Sequence, residues 1–289
     1  MSRGGREAPT SPAAEPPAAA RDLAVTLLGT YVREGPSKVW SGGMIRLLED
    51  LGVAPAAGRV ALSRLAARGL VARSKRGRLA WYELTPAGRR LLEEGTQRIF
   101  GFGLDAAARP TWTVLAYSIP DARRRRRNEL RKRLQFLGFA SQQDGVWLAP
   151  RDHEAEVAVL LDELGLRDDA LLFVGRLGGA VDEARVIQEA WDLEPLRGAY
   201  EAFLGEYGTY RSARRRRAMK PLDAFVVRTR IVHDFRRFPR MDPELPEALL
   251  SAPLRRDEAV TLFHGVYEAL EPAAQAHFDV RVALDDGAR

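Results

Sequence analysis

Residues 55–84 read PAAGRVALSRLAARGLVARSKRGRLAWYEL. Pro55 suits the first turn of a helix, and Gly69 would end that helix about four turns later. After this glycine come two short runs with strand character, joined by a tight turn at Gly77, a residue that tolerates positive φ. The stretch therefore predicts a helix followed by a two-stranded hairpin. The helix carries apolar residues that are expected to face the interior: Val60, Leu62, Leu65 and Ala66.

Two more helices are predicted upstream of this stretch. Apolar residues recur at helical spacing over 23–31 and again over 41–51, where Ser41 is a candidate N-cap. Three helices followed by a hairpin is the element order of a winged helix-turn-helix. Residues 21–100 are therefore predicted to form a DNA-binding domain of this kind. The Ala-, Pro- and Gly-rich residues 1–20 are predicted to be a disordered tail.

Polar and basic side chains occur at both places where such a domain contacts DNA. Arg59 and Ser63 lie four residues apart and share one helical face, so they are candidates to read base edges in the major groove. Arg64 and Arg68 form a neighbouring pair that could reach phosphates. The hairpin carries further candidates for phosphate contact: Lys75, Arg76 and Arg78. Each arginine alone could equally be a solvated surface charge, so the prediction rests on the whole order of elements.

The net charge of the chain is concentrated at its N-terminal end. The 289 residues carry a formal net charge of +6. Residues 1–110 hold 17 Lys and Arg against 10 Asp and Glu, whereas residues 181–289 hold 17 against 19. This distribution is expected if the N-terminal part contacts a polyanion and the rest does not. Solubility alone would also account for it.

The chain lacks the motifs and metal-ligand spacings of common enzyme and metal-protein classes. There is no cysteine, which excludes disulfides and thiolate metal sites, and the four histidines have no ligand-like spacing. Neither a phosphate-binding loop with lysine, nor Gly-x-Ser-x-Gly, nor HExxH occurs. No run of about 18 apolar residues and no signal peptide is present. We therefore expect a cytoplasmic protein without catalytic residues, metal, cofactor or membrane partner.

Residues 110–180 are predicted to form a second domain. The run TWTVLAYSI at 111–119 has the character of a buried strand, and helix, strand, helix and strand patterns follow it. A β-α-β-α-β series, with a further hairpin strand near 140–143, predicts a small ferredoxin-like domain. Its five consecutive arginines, Arg123–Arg127, could contact nucleic acid, form a solvated helix face or contact a second copy of the chain.

Residues 181–289 are predicted to form a mostly helical third domain. Aromatic residues recur along its helices and are expected to form a core rather than line a ligand pocket. A basic connector at 208–220 contains the run Arg214–Arg217. The chain as a whole is therefore expected to be an α+β multidomain protein, with winged helix-turn-helix, ferredoxin-like and helical domains in that order.

Three stretches resemble the PaaX family of repressors of phenylacetate catabolism. They are GRVALSRLAARGLV at 58–71, SIPDARRRRRNELRKRLQFLGFASQQDGVWLAP at 118–150, and FVVRTRIVHDFRRFPRMDPELPEALL at 225–250. The last contains the Arg-Thr, His-x-Phe-Arg-Arg and Asp-Pro-x-Leu-Pro pattern and is the most specific. The resemblance implies a homodimer that binds double-stranded operator DNA and is released by an aryl-CoA thioester, typically phenylacetyl-CoA.

An anionic, partly aromatic effector would need guanidinium groups for its phosphates and an apolar cleft for its acyl group. Residues 181–289 contain basic clusters beside aromatic helices. The candidate effector-binding residues are Arg214, Arg215, Arg228, Arg230, Arg236 and Arg237. Alternatively, Arg214–Arg217 is a mobile solvated loop, and Arg236 and Arg237 cap helix ends.

Two rival functions come from other classes. The middle block also resembles the small endoribonucleases of CRISPR adaptation complexes, which hold a divalent metal with an Asp after the first strand. This chain has Ser118 at that position, and a hydroxyl cannot replace the carboxylate that Mg²⁺ requires. Asp121 is the nearest acid and lies beyond a proline. The other rival is a module that binds a CoA thioester without regulating DNA.

Overall fold

The computed structural model describes residues 17–35, 38–104, 111–179 and 181–283. The described chain forms two compact units. The first joins the residues up to Gln97 with 212–233 and with those from Val266 onward; the second contains 98–211 and 234–265. Residues 181–289 are therefore divided between the two units. Of the predicted tail, residues 1–16 lie outside the described part of the chain.

The first unit contains helices from both ends of the chain. Its elements are α1 (Pro17–Leu27), which continues into a π-helical turn (Leu28–Val32), β1 (Lys38–Trp40), α2 (Ser41–Asp50), α3 (Pro55–Ala67), β2 (Val71–Arg76), β3 (Leu79–Leu84), most of α4 (Pro86–Gly101), α9 (Ala213–Arg217), most of α10 (Pro221–Phe235) and α13 (Glu271–Val282). The predicted helix at Pro55 and the two strands after it are confirmed. Helix α1 begins at Pro17, inside the stretch expected to be a tail.

The sheet of the first unit has one strand more than the sequence predicts. Strand β1 pairs with β3, so the antiparallel order is β1-β3-β2 and the hairpin strand β3 lies in the middle. Three residues are too few to show the alternation by which a strand is recognised in a sequence. Gly77 has a φ of 62° in the β2–β3 turn, a conformation that favours glycine.

The second unit is built around a four-stranded antiparallel sheet. The helices and strands of this unit are β4 (Trp112–Tyr117), α5 (Arg124–Phe136), β5 (Ala140–Gln143), β6 (Val146–Ala149), α6 (Glu154–Leu164), β7 (Ala170–Gly175), α7 (Glu183–Ala190), α8 (Glu194–Tyr207), α11 (Phe238–Met241) and most of α12 (Arg256–Ala269). The strand order is β5-β6-β4-β7, and the hairpin strand predicted near 140–143 is present as β5.

Helices cover both faces of this sheet. Leu130 of α5 and Leu160 of α6 pack with Leu115 of β4 on one face. On the other face, Trp112 packs with Ile187 of α7. The mixed helix and strand composition agrees with the predicted α+β class, and most of the described residues are helical.

One buried network in the second unit involves the Asp-Pro-x-Leu-Pro motif. Asp242, the first residue of this motif, accepts hydrogen bonds from Arg256 Nε at 2.7 Å and from the Tyr200 hydroxyl at 2.6 Å. The side chain of Asp242 is fully buried, and that of Arg256 nearly so. Burial raises the pKa of Tyr200, and the Asp242 carboxylate adds to the shift. The tyrosine therefore stays a neutral donor, and this part of the signature has a structural role.

Candidate nucleic-acid interface

Helix α3 has one buried face and one exposed face. Ala61, Leu62 and Leu65 are buried in the first unit, as their helical spacing predicts. The four predicted DNA contacts on this helix and at its C-cap are all exposed: Arg59, Ser63, Arg64 and Arg68. Val60 was expected to face inward, but 44 % of it is exposed. That part of the prediction is wrong, because Val60 lies 200° around the helix from Leu62, on the side of Ser63.

The β2–β3 hairpin exposes most of its first strand on both faces. After Val71, which is buried, every residue of β2 is exposed, so this strand contributes little to a core. The three predicted phosphate contacts at the hairpin are exposed as well: Lys75, Arg76 and Arg78. Arg73 was not singled out from the sequence, yet it is exposed in the same strand and pairs across the sheet with Tyr82.

The exposed cations of α3 and the hairpin have no acidic partner within ion-pairing distance among the described residues. In this respect they differ from Lys38 in β1, whose Nζ lies 3.4 Å from Glu83. Exposed cations without an internal anion retain their hydration and leave their charge available for phosphates. The geometry therefore suits a surface that neutralises a polyanion.

The end of α2 is held by helices from the C-terminal part of the chain. Asp50 accepts hydrogen bonds from Arg281 Nε and His277 Nε2, each at 2.8 Å, and only 8 % of the Asp50 side chain is exposed. Arg230 Nη2 donates to the Leu51 carbonyl at 2.7 Å. At Gly43, a Cβ would lie 2.8 Å from the Cα of Val282, so α13 approaches α2 closely. Because 227 positions separate Asp50 from His277, no local pattern could have indicated this contact.

The structure does not gather the six candidate effector-binding arginines into one unit. The first unit contains Arg214, Arg215, Arg228 and Arg230, and the second contains Arg236 and Arg237. Arg214 and Arg215 are exposed on α9. The alternative that Arg214–Arg217 is a loop is wrong, because Ser212 Oγ accepts from the Arg215 backbone and caps this short helix. Arg237 Nη2 donates to the Ala199 carbonyl at 3.1 Å.

Arg228 is buried and has partners within the first unit. Only 2 % of it is exposed, and its Nε donates to the Tyr267 carbonyl at 3.0 Å. Its guanidinium carbon lies 3.9 Å from the centre of the Tyr267 ring and 5.3 Å from that of Tyr31. Burial raises the pKa of both tyrosines, while the charge of Arg228 opposes the shift. Arg228 therefore joins α10 to two other parts of the fold.

At the position where a nuclease would hold its metal with an aspartate, this chain has a serine. Ser118 follows β4 and is exposed. The Tyr117 hydroxyl beside it accepts from Arg131 Nε at 2.9 Å and Trp147 Nε1 at 3.3 Å. Asp121 is paired with Arg127 at 2.9 Å. In the parts of the chain that the structure describes, no three carboxylate or imidazole groups cluster as metal ligands would, and no helix is long and apolar enough to cross a membrane.

Known protein families match the chain along most of its length. Residues 19–88 match the family described as PaaX-like protein, residues 105–187 the PaaX protein central Cas2-like domain, and residues 191–280 the PaaX-like protein C-terminal domain. The Transcriptional repressor PaaX of Escherichia coli (strain K12) is 27% identical over 270 residues, and the match covers 90% of this chain and 83% of that protein.

A solved structure shows the same fold. The uncharacterized protein Rv0674 from Mycobacterium tuberculosis superposes with a TM-score of 0.56 at 22% sequence identity. The match covers 90% of this chain and 96% of that one. At this identity the likeness concerns the fold alone.

Proposed function

Since this chain belongs to the PaaX family, we propose that it is a transcriptional repressor of a phenylacetate-type catabolic operon. It would bind double-stranded operator DNA through the first unit, with α1–α3 and the β2–β3 hairpin acting as a winged helix-turn-helix. The second unit's sheet would be a ferredoxin-like spacer or dimerisation domain. Family membership supports a binding protein rather than an enzyme.

The main support for DNA binding is the exposed basic surface of the first unit. Helix α3 and the adjoining hairpin expose Arg59, Arg64, Arg76 and further cations on the surface of a single compact unit, without acidic partners among the described residues. In a winged helix, the helix enters the major groove and the hairpin follows the phosphate backbone. Arg59 and Ser63 would read base edges, and Arg64, Arg68, Lys75, Arg76 and Arg78 would hold phosphates.

Footprinting the full chain on the DNA upstream of its own coding sequence tests this proposal. We expect protection of a discrete site, with affinity that falls steeply as salt rises, because bound phosphates release counterions. Protection that is equal on unrelated DNA would contradict sequence-specific regulation. The two rivals predict other outcomes: an endoribonuclease would cleave RNA in the presence of Mg²⁺, and a CoA module would bind thioesters but not DNA.

We also propose that the operator-binding form is a homodimer. A single winged helix makes few phosphate contacts, so specific binding at cellular salt favours two copies on a two-fold pair of half-sites. Light scattering at micromolar concentration measures the oligomeric state directly. A monomer that protects a single half-site would contradict the dimer while leaving DNA binding intact.

The proposed effector is an aryl-CoA thioester such as phenylacetyl-CoA. Arg214 and Arg215 are exposed on α9 and remain the strongest candidates for its phosphates, whereas the burial of Arg228 opposes that role. A ligand that releases DNA must bind the DNA-free state better, and operator must then weaken ligand binding by the same factor. Calorimetric titration of phenylacetyl-CoA into free and operator-bound protein measures both affinities. Equal affinities, or no binding to either form, would remove this compound as the inducer.

A further inference from the structure

The exposed face of α3 has an apolar centre between basic edges. Successive residues of a helix are rotated by about 100°, so Ala56, Val60, Ser63 and Ala67 form one stripe along this face. All four are exposed. Their side chains are short, and three of them are purely apolar. The middle of the exposed face therefore carries no formal charge and no long side chain.

Arginines lie on either side of this stripe. On the helical projection, Arg59 is on one flank of Val60 and Ser63, and Arg64 is on the other. Both arginines are exposed. Such a helix can approach the floor of a groove closely, because its centre is shallow, while its long cationic side chains reach the walls. The charge distribution complements DNA, in which phosphates line the groove and bases form its floor.

Val60 is only partly covered by the rest of the first unit. It is 44 % exposed, whereas Leu62 and Leu65 on the opposite face are each 1 % exposed. The major groove offers one strongly apolar feature, the C5-methyl group of thymine. A second protein chain is a poorer occupant, because covering this stripe would also desolvate the flanking arginines. The neighbouring cations thus favour DNA over an apolar partner.

We propose that Val60 is a specificity-determining residue that recognises a thymine methyl group, with Ala56 and Ala67 widening the apolar contact. This inference rests on the proposed function, because it requires α3 to enter the major groove. In this assignment, Ser63 and Arg59 supply hydrogen bonds to bases, and Val60 supplies selectivity for thymine over cytosine or uracil.

The test uses the full chain and a duplex obtained by selection from a random-sequence library. Each thymine of the selected duplex is replaced by uracil, which removes only the methyl group. At one thymine or more in each half-site, we expect the substitution to weaken binding about fourfold, the value for losing one buried methyl-sized group. The Val60→Ala variant should bind the thymine duplex more weakly and show no further loss with uracil at that position.

A matched control separates this effect from general weakening. Val159 is an exposed valine of α6 in the second unit, so Val159→Ala should keep both the affinity and the full sensitivity to uracil. If a sequence is enriched but no uracil substitution changes the affinity of the wild-type chain, the inference about Val60 is overturned and the proposed function stands. The same holds if Val60→Ala remains as sensitive to uracil as the wild type. If no sequence is enriched, both are overturned.

Discussion

The arginines of α3 and Arg228 of α10 belong to the same compact unit, yet their surroundings are opposite. Arg59 and Arg64 of α3 are exposed, whereas Arg228 of α10 is 2 % exposed and donates to the Tyr267 carbonyl. A buried guanidinium has lost its hydration and must be compensated inside the protein, so it contributes to the fold. An exposed one contributes little to stability and is available to a partner. Position in the fold alone therefore separates these two roles of an arginine.

The largest expected effect is on stability, at Arg228. In Arg228→Ala the Tyr267 carbonyl loses its donor, and the Tyr31 and Tyr267 rings lose a neighbouring guanidinium. We expect the free energy of unfolding to fall by about 2–3 kcal/mol. Urea denaturation of the variant and of Arg214→Ala, an exposed arginine of the same unit, measures the difference. The control should lie within about 0.5 kcal/mol of the wild type. Equal losses in the two variants would show that burial does not set the contribution of Arg228 to stability.

The next largest effect is expected on operator binding, which Arg59→Ala should weaken. Removing a side chain that reads a base should cost about 1–3 kcal/mol of binding free energy and relax the preference at one position of the site. The unfolding free energy should stay within about 0.5 kcal/mol of the wild-type value, because the residue is exposed. Fluorescence anisotropy with the selected duplex measures the binding. Unchanged operator affinity in the Arg59→Ala, Arg76→Ala double variant would refute the assigned interface.

A third variant tests Arg281, which is partly exposed and also forms an ion pair. This side chain is 37 % exposed but is bound to Asp50 at the end of α2. Because solvent screens part of the pair, we expect Arg281→Ala to lower the unfolding free energy by only about 1 kcal/mol. Operator affinity should fall as well, since α2 supports α3. Val280→Ala, at a 73 % exposed position of the same helix, should change neither quantity. A loss of stability without any loss of affinity would show that this contact does not position the DNA-binding helices.

The smallest effect concerns the salt dependence of binding, at Arg76. A phosphate contact is independent of sequence, so Arg76→Ala should weaken all duplexes similarly and reduce the slope of log affinity against log salt by about one unit. Titrations at several salt concentrations measure the slope. Arg176→Ala, at an exposed arginine of the second unit, serves as the control and should leave the slope unchanged. An altered sequence preference in Arg76→Ala would instead assign this residue to base reading.

Much of the first unit follows from local patterns. The start of α3 at Pro55, its buried Leu62 and Leu65, and the hairpin turn at Gly77 were all predicted, because helix starts, apolar periodicity and turns are determined by residues a few positions apart. The exposure of the candidate DNA contacts agrees with the same patterns. That they bind DNA stays a prediction.

Local sequence patterns therefore predict the order of elements, the location of the basic side chains and, through the motifs, the family. Tertiary packing, in contrast, places Arg228 in the interior and joins α13 to Asp50 at the end of α2. This difference follows from the range of the interactions. Secondary structure depends on neighbours along the chain, whereas burial and pairing depend on residues that become neighbours only when distant segments pack, such as Asp50 and His277.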